Sequence, residues 1–169
     1  MNMDIFRLFR HLVSPPWQVR RVFPKRSLEA IEATIADSER SHLGELRFVV
    51  ENALDFGDLW QGLTARQRAI EVFSQCRVWD TEQNSGVLIY LLLADRDVEI
   101  VADRGINAKV DSSAWLNICQ DMETLFRAGE FERGLIEGIT AITKLLQQHF
   151  PAEDTDNPNE LGNAPIILS

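Results

Sequence analysis

The chain has 169 residues, of which 45% are hydrophobic and 25% charged, an ordinary globular composition for one domain with extensions. Its net charge of −9 is unevenly placed: residues 1–26 carry six Lys/Arg against Asp4, so the remaining 143 residues carry −14. Such an acidic body excludes a nucleic-acid binder, whose partner's phosphates it would repel. Cys76 and Cys119 have neither CxxC spacing nor neighbouring histidines. They read as small buried hydrophobes on helix faces, which suits a reducing, cytoplasmic setting. The longest apolar run, Gly86 to Ala94, is far short of the ~20 residues that span a bilayer. The N-terminus also lacks the pattern of a signal peptide.

In chain order, residues 4–13 place Ile5, Leu8, Phe9 and Leu12 on one helical face, and Ser14-Pro15-Pro16 ends the turn. This helix either packs its apolar face on the domain, with Trp17 and Val19 continuing the contact, or touches an anionic membrane surface. The first alternative is the expectation. A longer helix starts at Ser27 and ends near His42, with Leu28, Ile31 and Ile35 as its stripe. Residues 45–51 alternate as a strand, and residues 52–63 form a connection. Thr64 then caps a helix to about Arg77, with Ala69, Ile70, Val72, Phe73 and Cys76 on its core side.

Gly86 to Leu93 is apolar on both faces, the mark of a central strand covered on each side. The turn Ala94–Asp97 returns the chain into Val98 to Ala102 as an antiparallel mate. A helix from about Asp111 then presents Trp115, Ile118, Cys119, Met122 and Phe126. Another from Glu130 to His149 presents Phe131, Leu135, Ile139, Ile142 and Leu146. Residues 151–169 read as an acidic, flexible tail with an apolar end at Pro165 to Leu168. The organisation is therefore a basic arm (1–26), a folded domain (27–150) and that tail.

Candidate chemistry gathers before the central strand. Asp80, Glu82 and Asn84 offer oxygen ligands at alternate positions, as hard divalent cations require. Asp103, at the exit of the antiparallel mate, falls at the same end of the sheet and supplies a further carboxylate. The competing reading is a solvated loop followed by a surface turn in which Gly105 permits positive φ. Leu91 stands where an EF-hand would need its bidentate Glu. Glu45 and Arg47 read as the outward residues of a half-exposed strand. His11, His42 and His149 share no ligand spacing and read as surface residues near helix ends. Nucleotide-binding GxxxxGK and GxGxxG loops and the GxSxG elbow are all missing from the sequence.

Taken in order, several segments resemble the TPM domain family. They are Gly44–Val50, Val78–Glu82, Asn84–Ala94, Val98–Ile106 and Phe126–Phe131, followed by Gly134 and Gly138. The likeness extends over residues 27–150 and is similar to the small cytoplasmic branch of that family. It implies an α/β fold, a mixed four- to five-stranded sheet with helices packed on both faces. It also implies weak Ca²⁺ or Mg²⁺ binding in loops at one sheet edge, here Asp80, Glu82, Asn84 and Asp103. The expected role is a non-enzymatic accessory module that binds a protein partner, in a membrane-linked complex. The alternatives are a metal-assisted acid phosphatase at that edge and a peripheral membrane adaptor acting through residues 4–13.

Overall fold

A computed structural model describes residues 5–152 and 159–168. Its elements are α1 (Ile5–Leu12), α2 (Gln18–Val22), α3 (Lys25–Glu39), β1 (Glu45–Glu51), α4 (Phe56–Trp60) and α5 (Ala65–Gln75). They are followed by β2 (Gly86–Leu92), β3 (Asp97–Ala102), α6 (Arg104–Asn107), α7 (Ser112–Arg127), α8 (Phe131–His149) and β4 (Ile166–Leu168). The four strands form one mixed sheet in the order β3-β2-β1-β4. β1 runs parallel to β2, with Phe48 opposite Ile89, and parallel to β4, with Val49 opposite Ile166. β2 and β3 are antiparallel, with Ile89 opposite Ile100.

Every residue of β2 is buried, as a run apolar on both faces requires. Val87, Ile89 and Leu91 join Leu46, Phe48 and Val50 under α3, α7 and α8. Leu88, Tyr90 and Leu92 face the other way, into a smaller core with Ala65, Ala69 and Val72 of α5. The α7–α8 pair is close because Gly138 has no side chain: a Cβ there would stand 2.3 Å from Met122 Sδ.

A parallel β1–β2 pair needs a crossover, and α5 supplies it. Thr64 caps α5 through a reciprocal capping box with Gln67. Arg68 then ties the helix to the sheet. Its Nε and Nη2 donate to both Glu51 oxygens at 2.9 and 2.8 Å, and the Tyr90 hydroxyl donates to Glu51 Oε2 at 2.6 Å. Burial, and then the Glu51 charge, push the Tyr90 hydroxyl far above its usual range, so it stays a donor.

Three expectations for side-chain placement need correction. Ile70 points to solvent, because α5 turns only Ala65, Ala69 and Val72 fully inward. Cys76, just past the helix end, is only partly buried, whereas Cys119 is buried as expected. α3 begins at Lys25 after Pro24, two residues before the expected cap; the Ser27 hydroxyl instead donates to Glu132 on α8.

Glu51→Ala leaves Arg68 and the Tyr90 hydroxyl without their shared acceptor. It is expected to cost about 3 kcal/mol, lowering the melting temperature by about 10 °C. Tyr90→Phe keeps the ion pair and is expected to cost about 1 kcal/mol. Equal losses for the two variants in thermal melts would contradict this division.

Candidate functional site

The starts of β1 and β2 and the end of β3 meet at one end of the sheet, where the acidic loop lies. Asp103 N–H donates to Gly86 O at 2.8 Å, which seats Asp103 beside the loop leading into β2. Its side chain caps α6, Oδ1 accepting from Arg104 N–H at 2.7 Å, while the buried Oδ2 meets no donor among the described residues. Arg104 Nε donates to Asn84 Oδ1 at 3.1 Å, joining Asn84 to this corner. Asp80 and Glu82 have exposed side chains. Glu82 N–H is held by Glu160 Oε2 at 2.9 Å.

The structure thus brings Asn84 and Asp103 together through Arg104 and leaves Asp80 and Glu82 at the surface. Among the described residues no three His, Cys, Asp or Glu side chains converge as a metal site. The Arg104 guanidinium occupies the Asn84 oxygen that a cation would use. The four residues match a divalent ion only as a partly formed set, with Asp103 Oδ2 as its free oxygen. Gly105 is helical and does not take up positive φ. It is small because a Cβ would lie 2.6 Å from Asn84 O and 2.8 Å from Gln83 O.

Beside this corner, the carboxylates of Glu39 and Glu45 are buried rather than turned outward. Glu39 Oε1 accepts from Leu46 N–H at 2.9 Å, and Glu45 Oε2 accepts from Leu161 N–H at 3.1 Å. Arg47 Nη1 donates to Gly162 O. The Leu161 and Gly162 contacts seat the C-terminal segment beside the first half of β1, and β4 pairs along the second half. Of the acidic tail, then, the apolar end Ile166–Leu168 docks as an edge strand. Residues 153–158, the centre of the tail, lie outside the described residues.

The histidines also depart from the surface expectation, because His11 and His42 are 4% and 0% exposed. His42 Nδ1 accepts from Gly44 N–H at 3.1 Å, and its Nε2 lies 2.8 Å from Ser38 Oγ. Burial holds its pKa down at about 4.

The largest correction concerns α1, which docks through its polar side. Arg7 Nε and Arg10 Nη2 donate to the two oxygens of Asp95 at 2.8 and 2.9 Å. His11 Nε2 lies 3.1 Å from Asp95 Oδ2, and His11 Nδ1 accepts from Leu54 N–H at 2.9 Å. Arg7 Nη1 also donates to Leu63 O at 3.0 Å. Burial raises the Asp95 pKa, but the bonds from His11 and Arg7 outweigh it and hold the carboxyl below its usual range.

With its polar side occupied, α1 turns the expected packing stripe outward. Ile5, Phe9 and Leu12 are 71%, 64% and 61% exposed, and only Leu8 reaches the core beneath α5. Val13 and Trp17 extend the apolar surface, as do Phe56 and Trp60 on the neighbouring α4, whose rings lie 5.9 Å apart. A signal was present in the sequence: Asp95 in the hairpin turn is an acid for which the basic face of α1 is the complement. Pairing across 88 positions is not readable from periodicity.

These features define a mixed α/β sandwich with an acidic loop corner and an outward-facing apolar arm. A TPM domain model matches residues 20–145, and the chain belongs to the TPM domain family. It is similar to the NMR structure of BA42 from the psychrophilic bacterium Bizionia argentinensis. The identity is 29%, the match covers 84% of this chain and 92% of that one, and the TM-score is 0.74. The N-terminal domain of a protein from P. gingivalis shares the fold at 20% identity, with 83% and 94% coverage and a TM-score of 0.60. No curated protein matches.

Burial raises the pKa of Glu39 to about 7, so its proton favours the fold. That stabilisation is full below the unfolded value of 4.5 and is lost as pH rises through about 7. His42 behaves oppositely: its contribution is full above 6.5 and is lost as pH falls through about 4. The two slopes offset each other between these values. Glu39→Gln keeps an acceptor for Leu46 N–H and removes the first slope. The variant is expected to melt higher than wild type at about pH 8, by up to roughly 3 kcal/mol, and together with it at about pH 4.5. Parallel melting curves for the two proteins across this range would refute the assignment.

Proposed function

We propose that this TPM-domain protein is a non-enzymatic accessory module whose docking face is the outer surface of α1 and α4. One observation carries the reading: α1 is clamped through its polar side at Asp95, leaving its apolar stripe outward. Single exposed hydrophobes need no explanation, but a clustered set on adjoining elements marks an interaction surface. The test is a titration with zwitterionic dodecylphosphocholine followed by backbone amide shifts. Shifts are expected at residues 5–17 and 56–60, with α7 unperturbed; uniform or absent shifts would overturn the reading.

A second reading, weak Ca²⁺ or Mg²⁺ binding at the loop corner, is favoured by the buried Asp103 Oδ2 that meets no donor. Asp103 Oδ2 would hold the ion, Asn84 Oδ1 would join it only on release from Arg104, and Asp80 and Glu82 would add negative charge. A cation there would relieve the cost of a buried, unpaired carboxylate oxygen. Lacking a bidentate acid, the site would bind at about 10⁻⁴ to 10⁻³ M. Millimolar Ca²⁺ is expected to raise the melting temperature of wild type and not of Asp103→Asn, which retains a capping oxygen. A flat response in wild type would remove both this site and the phosphatase alternative that depends on it. Turnover of p-nitrophenyl phosphate tests that alternative directly.

A further inference from the structure

Resting on the docking-face reading, we infer that the partner of α1 and α4 is the anionic surface of a lipid bilayer. The clamp at Asp95 fixes α1 side-on, so Ile5, Phe9 and Leu12 are all turned to solvent. That geometry suits a helix lying in the plane of an interface, with its apolar side among the acyl chains. Trp17 and Trp60, each more than half exposed, flank the stripe. Indole rings favour the boundary between headgroups and chains.

Charge selects the sign of the surface. Residues 1–26 carry +5 and the rest of the chain −14, with Arg7 and Arg10 of the arm engaged by Asp95. Arg20, Arg21, Lys25 and Arg26 follow the stripe and have exposed side chains, and Arg21 lies over the Trp17 ring at 5.9 Å. An anionic surface attracts this end and repels the body, which orients the protein with the arm down. A second copy of the chain fits less well. Two arms meeting about a two-fold axis would oppose their own basic residues. No helix among the described residues is long and apolar enough to cross a membrane, so the contact is with the surface.

The experiment is flotation of the full chain with vesicles of phosphatidylcholine alone or enriched in phosphatidylglycerol. Enrichment is expected to tighten binding at least about tenfold, and added salt to weaken it. The double variant Phe9→Glu, Leu12→Glu alters two exposed side chains and is expected to keep the melting temperature and lose flotation. Leu116→Glu, on α7 across the sheet, is expected to float like wild type. Arg20→Glu with Arg21→Glu should remove the preference for phosphatidylglycerol. Flotation that survives Phe9→Glu, Leu12→Glu would overturn the proposal, showing charge attraction alone. Failure to float on either vesicle overturns it too; retained dodecylphosphocholine shifts would then leave the docking face standing with another partner. Self-association that the Phe9→Glu, Leu12→Glu variant abolishes, without flotation, would assign the face to a second copy instead.

Discussion

β2 has no solvent face, and the arrangement of the molecule follows from that constraint. A strand buried on both sides must be covered on both sides, here by α3, α7 and α8 on one face and by α5 on the other. Its parallel neighbour β1 demands a crossover, and the crossover helix is anchored where Arg68 and Tyr90 converge on Glu51. An ionic anchor inside an apolar layer adds direction to a contact that hydrophobic burial alone would leave free to slide. Fully hydrogen-bonded, it meets the condition under which a buried charge is tolerated.

A second carboxylate sets how the protein faces its surroundings. Asp95 sits in the β2–β3 turn and gathers Arg7, Arg10 and His11 from the N-terminal helix. Two arginine donors and a close histidine on one partly buried acid commit the polar side of α1 inward. An amphipathic helix has two dissimilar faces, so satisfying one against the domain presents the other to solvent. The family fold supplies the scaffold, and the arm carries the reading of function.

The opposite end of the sheet is organised by polar side chains that hold backbone. Glu45 and Arg47 bond to Leu161 and Gly162 and so seat the C-terminal segment along the edge of β1, while Glu39 holds Leu46 N–H. A paired or covered edge is protected against adventitious strand addition. The edge of β3 is guarded differently, with Arg66 Nη1 donating to Ile100 O at 2.6 Å and Asn107 Nδ2 to Ala102 O at 2.9 Å.

Local periodicity was enough to read β1, β2, β3 and the long helices, because each buries a face whose repeat is written in consecutive residues. The two-sided run at β2 made the layered fold legible, and the ordered segments from Gly44 to Gly138 made the family legible. The choice of face for α1, the burial of His11 and His42, and the docking of β4 were decided by tertiary structure. Each depends on partners far away in sequence: Asp95 for α1 and His11, the bridge to Pro151 for His42, and the edge of β1 for β4. The acidic loop shows the same division. Its oxygen-bearing residues are plain in the sequence, but whether they converge depends on where Asp103 and Arg104 stand after the hairpin turns. Hydrophobic pattern reports which face of an element needs cover; only the assembled chain determines whether a stronger polar partner claims the other face first.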